Sequence, residues 1–345
     1  MRNPMALSQT VSELTALVEP ELKDIVTSRD MRLYQMMSYH MGWNDEAGQD
    51  RAAPDKERTH GVLCLLACHA AGGDLGTALP AAAAVELVHN FCLIHDDVQG
   101  GIPKRDDRDA VWWVWGPAQA INAGDGIHAL GRLALFRLLQ RGVSPETTFR
   151  AVQLLDEASL QACEGRFLDL EAQERIDMGV QAYVTMVAGK SGALVACAMK
   201  LGALVATPDA VGDEAVLEAL GSCGTKLGLA MQMRADSREL WGHGEAVSAP
   251  SPEVMNKKKL LPVVQALEKA SIRDKRRLGD IYFKRVLGPE DVARLLEVIE
   301  ELGAKEESER LIERTRAEAL EALDTPAMPA QGRADIERFV ASLLE

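Results

Sequence analysis

Two adjacent carboxylates, Asp96 and Asp97, stand at the end of an apolar run that begins at Ala81. Acids on an otherwise apolar helix are unfavourable unless something compensates them. A divalent cation would do so, since carboxylates are hard oxygen ligands of the kind Mg²⁺ takes and shares with phosphate oxygens. A helix end facing water would do so too, and the pair alone leaves both readings open. A second acidic group lies in Gly228–Gly242, where Asp236 and Glu239 are three apart and share a helix face. It also ends an apolar helix. Two such ends in one helical bundle could face each other and hold metal ions.

Basic residues punctuate the same stretches. Lys104 and Arg105 follow the first acidic pair, and Lys190 sits within Gly189-Lys-Ser-Gly-Ala. Lys226 precedes the second pair, and Lys257, Lys258 and Lys259 follow it. Metal ions with scattered cations suit a diphosphate, whose oxygens they share and neutralise. Any one of these lysines alone reads as a solvated surface residue; their ordering around both acidic groups is harder to dismiss.

The elements that must position these groups read as helices. Residues 8–40 form one or two amphipathic helices, and 42–58 a loop. Gly61 to Ala71 is an apolar helix stopped by Gly72-Gly73. Pro80 lies in the first turn of the helix that ends at Asp96-Asp97. Residues 100–109 are a charged loop. Helices follow over 118–139, 145–174, 182–205, 213–240, 256–270, 289–303, 305–323 and 332–344, with a Gly/Ser/Pro-rich loop at 242–252. Apolar residues make up 47% of the 345-residue chain but aromatics only 4%, so the core is built of Ala, Leu, Val and Met, which favours packed helices over sheets. The expectation is an all-α bundle of about a dozen helices as one domain over 1–345, with 1–20 flexible or peripheral.

A net charge of −14 argues against a non-specific nucleic-acid binder. No apolar run reaches ~18 uninterrupted residues, so no membrane span is expected. Met1 to Thr10 lacks the apolar stretch of a secretory signal. Cys64, Cys68, Cys92, Cys163, Cys197 and Cys223 lie mostly in apolar runs and read as buried thiols, which suits a reducing cytoplasm.

From about residue 20 onward the chain resembles the trans-isoprenyl diphosphate synthase (polyprenyl synthetase) family. The matching segments are Ala82–Asp97, Pro103–Leu135, Cys163-Glu-Gly, Gly189-Lys-Ser-Gly-Ala, Gly228–Gly242 and Lys258-Lys-Leu-Leu-Pro-Val-Val. The resemblance implies an all-α isoprenoid synthase-type bundle around a central cavity, usually a homodimer. It implies Mg²⁺ held by Asp96, Asp97, Asp236 and Glu239, and an allylic prenyl diphosphate as substrate. It assigns catalytic roles to Asp96, Asp97, Arg105, Lys190 and Asp236, and substrate contacts to Arg58, His89, Arg105, Lys190, Lys226, Gln232 and Lys258. Phe91 and Cys92 fall where the family limits chain length, and suggest a farnesyl- or geranylgeranyl-sized substrate. Trp112, Trp113 and Trp115 read as helix packing or dimer contact.

The chain departs from the family pattern in two ways. The first Asp-Asp-x-x-Asp motif ends in Gly100, and the second reads Ala235-Asp236-Ser237-Arg238-Glu239. The segment Gly-Lys-Arg-x-Arg-Pro, which serves the family's second diphosphate, becomes Lys56-Glu57-Arg58-Thr59-His60-Gly61. Arg58 and His89 match, but a Lys position is now Glu57, and the second of two basic residues after the first acidic motif is now Asp106. One opposite-charge pair at ~4 Å and a dielectric near 20 is worth roughly 4 kcal/mol, and reversal turns it into repulsion. The pattern is that of a terpene synthase-like enzyme that ionises one allylic diphosphate and lets the cation cyclise or rearrange. Low aromatic content counts against cyclisation, because aromatic faces hold cations. The alternatives are a catalytically impaired subunit paired with a homologous prenyl synthase, and a prenyltransferase that elongates or uses another acceptor.

Overall fold

A computed structural model describes residues 7–51, 56–173, 175–206, 213–242, 252–284, 287–325 and 328–344. The described helices are α1 (Leu7–Val26), α2 (Arg32–Met41), α3 (Thr59–Ala70), α4 (Leu75–Gly100), α5 (Val111–Trp115), α6 (Pro117–Leu135), α7 (Pro145–Ala172), α8 (Val180–Val187), α9 (Ala193–Val205), α10 (Glu214–Trp241), α11 (Pro252–Met255), α12 (Leu261–Lys269), α13 (Ile272–Tyr282), α14 (Pro289–Glu301), α15 (Ala304–Glu321) and α16 (Ala330–Leu344). The chain divides into two compact units. One holds Met1–Ser159, Leu194–Gly221 and Leu323–Phe339; the other holds Leu160–Ala193, Ser222–Ala322 and Val340–Glu345.

In the first unit α4 is the core helix. Asp74 caps it, accepting from the Thr77 amide at 2.9 Å. That cap starts the helix at Leu75, so Pro80 lies inside it rather than in its first turn, at the loss of one backbone hydrogen bond. Ala81–Ala84, Val85, Leu87 and Val88 are all buried against α3 and α6. Small side chains let α6 come close: a Cβ on Gly131 would lie 3.0 Å from the Ala84 carbonyl oxygen. Gly101, at φ +58°, ends α4 and leaves Asp96 and Asp97 near its negative pole. By length and composition α4 and the stretch Val180–Val205 could cross a membrane, contrary to expectation, but both are mostly buried in protein.

Two further expectations change in this unit. Leu14, Val18, Leu22 and Ile25 form a helical stripe on α1 that is buried, so the residues described before position 20 belong to the core rather than to a loose periphery. The charged loop after α4 contains a two-stranded hairpin, β1 (Lys104–Arg105) and β2 (Arg108–Asp109), pairing Arg105 with Arg108. Its two-residue turn puts Asp106 at φ +50° and Asp107 at φ +58°, the type I′ geometry that Asp tolerates.

In the second unit, Tyr183, Met186, Val187, Met233, Leu261, Val264 and Ile312 form one core cluster. Leu278, Ile281, Val292, Leu295 and Ile299 belong to another. The stretch expected as one helix over 256–270 is broken by Lys257 at φ +58°, and α12 starts only at Leu261. Helix α13 was not legible, because its many charges hide a short buried stripe of Leu278, Ile281 and Tyr282. Ser271 caps it, accepting from the Asp274 amide. No disulfide joins the cysteines. Cys64, Cys68, Cys197 and Cys223 are buried as expected, Cys92 is half-buried, and Cys163 is exposed.

Candidate functional site

In the first unit Asp97 turns inward and is only 2% exposed. Arg105, at the end of β1, grips it: Nε donates to Oδ1 at 2.9 Å and to Oδ2 at 3.2 Å, and Nη2 donates to Oδ1 at 2.6 Å. Burial pushes the Asp97 carboxyl above its ordinary range, against the pull of Arg105. Burial alone would lower Arg105, but the ion pair holds it above its ordinary value. Asp96 is half-buried on the adjoining face, and Gly100 lies one turn beyond it.

Arg58 does not present its guanidinium to a ligand, as its expected substrate role requires. It is 3% exposed and holds both oxygens of Glu19, at 2.7 and 3.0 Å, and the Met41 carbonyl at 2.9 Å. Lys56 pairs with Asp106 at 3.0 Å. His89 stacks on His60, ring centroids 4.0 Å apart. Burial holds both rings neutral: His60 falls to about 3, helped by His89, and His89 to about 4, helped by Arg105, Lys56 and Arg58. The charges acting on His89 are those of Arg105, Lys56 and Arg58. The cavity lined by His40, Lys56, Asp97, Arg105 and Asp106 has a volume of about 20 Å³. That is room for about one water molecule. Phe91 packs edge-on to His95, centroids 4.6 Å apart, and against His128 at 4.9 Å.

The second unit holds another group of paired charges. Lys190 sits on a single π-type turn, Ala188–Gly192, between α8 and α9. Such turns survive where tertiary contacts hold them. Here α7 does so at contact distance, since a Cβ on Gly165 would lie 2.1 Å from the Lys190 amide nitrogen. Asp169 of α7 receives Lys190 at 2.8 Å and Arg166 at 2.7 Å. Burial would raise Asp169, but Lys190, Lys258 and Arg166 together hold it below its ordinary range. Lys258 also pairs with Glu253 and is 5% exposed. Among the described residues, Lys190, Lys258 and Arg166 meet Asp169 and Glu253, and Asp236 also feels the charge of Lys190.

Asp236 corrects the sequence expectation most clearly. It does not share an open face with Glu239. It is 3% exposed, and its Oδ2 accepts from the Tyr183 hydroxyl at 2.6 Å and the Leu261 amide at 2.9 Å, while Oδ1 accepts from Gln232 Nε2 at 2.8 Å. Burial raises its carboxyl to about 6. Gln232 Oε1 accepts from the Ser191 hydroxyl at 2.9 Å, so Gln232 links Asp236 to the π-type turn beside Lys190. The exposed position on this turn of α10 is Ala235, and Glu239 is half-buried. Lys226 is likewise drawn away, to Glu318 at 2.8 Å.

Among the described residues no three or more His, Cys, Asp or Glu side chains are grouped to hold a metal ion. Two of the four expected ligands, Asp97 and Asp236, are spent on Arg105 and on three chain donors. Mg²⁺ needs less than such a cage, since one or two carboxylates suffice when substrate phosphates and water fill its other positions. The donors therefore fit a metal that arrives with a diphosphate, and do not fit a resident one. Glu19, Asp169, Tyr183 and Glu253 were missed from the sequence. An acid inside the apolar Phe167-Leu-Asp-Leu170 was the only local hint.

This is an all-α isoprenoid synthase fold. Residues 44–299 match the polyprenyl synthetase family. A geranylgeranyl diphosphate synthase of Mycobacterium tuberculosis is 38% identical over 253 residues, covering 73% of this chain and 70% of that protein. A (2E,6E)-farnesyl diphosphate synthase of Mycobacterium bovis is 33% identical over 248 residues, covering 72% of this chain and 67% of that one. The crystal structure of a polyprenyl synthetase from Streptomyces coelicolor A3(2) superposes with a TM-score of 0.88 at 31% identity, covering 99% of this chain and 100% of that one. The chain belongs to the polyprenyl synthetase family.

Proposed function

We propose that this chain is an enzyme acting on prenyl diphosphates that ionises a single allylic one, of farnesyl or geranylgeranyl size, and lets the cation cyclise or rearrange. The relatives are synthases of farnesyl and geranylgeranyl diphosphate, which supports the substrate class. One observation carries the finer reading. The cations left at the family's second diphosphate position are each matched by a carboxylate of this chain, Arg58 by Glu19 and Lys56 by Asp106. Glu57 adds a further negative charge there. A small polyanion finds no unmatched cation among these residues to bind.

The second unit gathers Lys190, Lys258 and Arg166 around Asp169. Lys190, Lys258 and Arg166 draw on the departing diphosphate as its carbon–oxygen bond breaks and the electron pair leaves with it. In the first unit, Asp96 and Asp97, once Arg105 releases it, are the carboxylates that would hold Mg²⁺. The metal would neutralise charge growing on the leaving group. The cation ends by losing a proton to water or to the released pyrophosphate to form an alkene, or by adding water and losing a proton to form an alcohol. The large apolar residues Ile121, Leu133, Phe136 and Leu139 are exposed on and just after α6 and suit assembly with a second copy.

The test is incubation with Mg²⁺ and farnesyl or geranylgeranyl diphosphate, without isopentenyl diphosphate. Pyrophosphate and hydrocarbon or alcohol products support the proposal. A longer prenyl diphosphate formed when isopentenyl diphosphate is added would overturn it. So would inertness alone combined with altered product length when a homologous synthase is mixed in.

A further inference from the structure

Helix α13 carries a surface that the reaction does not use. Ile272 at its start and Phe283 just past its end are 77% and 78% exposed, and Ile176, from the segment before α8, is 40% exposed. With Gly279 and the stems of Lys275 and Arg276 they line a shallow cleft of about 330 Å³. Large apolar side chains this open are costly in water unless something covers them. All these residues belong to the second unit.

The charges around the patch narrow what covers it. Helix α13 contains Arg273, Lys275, Arg276 and Arg277 against Asp274 and Asp280. Arg277 is taken by Glu301 and Asp274, and Lys284, next to Phe283, by Asp291. Among the described residues Arg273, Lys275 and Arg276 lie in no ion pair, although Asp280 lines the same cleft and Glu301 feels Arg273. A chain of net charge −14 thus gathers more cations than acids around its exposed Ile and Phe. A polyanion such as nucleic acid would match the cations but leave the isoleucines and Phe283 in water. An apolar protein groove would match those side chains but desolvate the cations without a partner. An anionic lipid surface matches both: aliphatic and aromatic side chains enter the acyl boundary while Lys and Arg stay among headgroup phosphates.

We propose that the α13 face docks this protein peripherally on anionic membrane, with Ile272 and Phe283 inserted and Arg273, Lys275 and Arg276 at the headgroups. The contact through these side chains is shallow and reversible.

The experiment is co-sedimentation of the full chain with vesicles of phosphatidylcholine alone or with about one-third phosphatidylglycerol. Binding is expected only to the anionic vesicles. It is expected to be lost at about 1 M salt, where the Debye length is ~3 Å. The triple variant R273Q/K275Q/R276Q is expected to bind about a hundredfold more weakly, roughly fivefold per charge removed. The double variant I272S/F283S is expected to lose binding with its far-ultraviolet circular dichroism unchanged. Equal binding to both vesicle types, or variants that bind as the parent does, overturns the proposal. So does concentration-dependent self-association that I272S/F283S abolishes while the parent ignores vesicles; that result would make the face a contact between copies.

Discussion

Replacing Asp236 with Asn separates two roles that the sequence cannot distinguish, metal ligand and buried anchor. Burial raises the Asp236 carboxyl from 3.8 to about 6. At ~1.4 kcal/mol per tenfold change in proton affinity, keeping it ionised in the folded chain costs about 3 kcal/mol. The direction follows from proton uptake. Between about pH 4 and pH 6 the folded protein holds a proton that the unfolded chain has released, so stability falls as pH rises through that window. Above about pH 6 the whole cost is present; below about pH 4 it is gone. Asn cannot ionise, and its shape fits the site. Its oxygen accepts from Tyr183 and Leu261, and its amide donates to a flipped Gln232, whose own amide then meets the Ser191 hydroxyl. Asp236→Asn is therefore expected to be as stable as the parent at pH 4 and more stable at pH 8 by about 1–3 kcal/mol. Asp236→Ala leaves three donors unsatisfied and is expected to lose about 2–4 kcal/mol. Urea unfolding from pH 4 to pH 8 reads both, with pyrophosphate release as the activity readout. The anchor reading expects the Asn variant to keep at least a tenth of the activity. An Asn variant less stable than the parent at pH 8, with the parent's slope intact between pH 4 and pH 6, would refute the reasoning.

Other outcomes test the rest of the site. Glu57→Lys with Asp106→Arg frees Lys56 and restores two positive charges, and is expected to raise isopentenyl diphosphate affinity at least tenfold by calorimetry; unchanged affinity counts against the charge argument. Arg58→Ala leaves Glu19 with only the Trp43 indole as donor and the Met41 carbonyl with none from Arg58, so urea unfolding is expected to show a loss of about 3 kcal/mol, with the Michaelis constant for farnesyl diphosphate unchanged. Gly165→Ala drives a methyl group into the Lys190 backbone, and should cost about 1–3 kcal/mol with at least a tenfold fall in turnover. Because no metal cage is preformed among the described residues, Mg²⁺ alone or a chelator is expected to leave the melting temperature unmoved, while Mg²⁺ with pyrophosphate raises it; a shift with Mg²⁺ alone would reveal a resident site.

The sequence alone determined the helices and where their acidic ends fall. The apolar run into Asp96-Asp97 and the glycines after it are local signals, and local physics starts and stops helices. The motif order carried the family in the same way, since it needs no knowledge of contacts. Even locally there were limits: Pro80 suggested a helix start that the Asp74 cap moved earlier, and the charges of α13 hid its buried stripe. Only the tertiary structure decided what each charge does. Arg58 meets Glu19 across 39 residues, and Tyr183 meets Asp236 across 53. Nothing near Asp236 in the chain says that it turns inward while Ala235 faces out. Neighbouring positions on a helix point about 100° apart, and which of them is buried depends on the surface packed against that helix. Ionisable side chains take their roles from whatever partner burial brings within 3 Å, and that partner is rarely close in sequence.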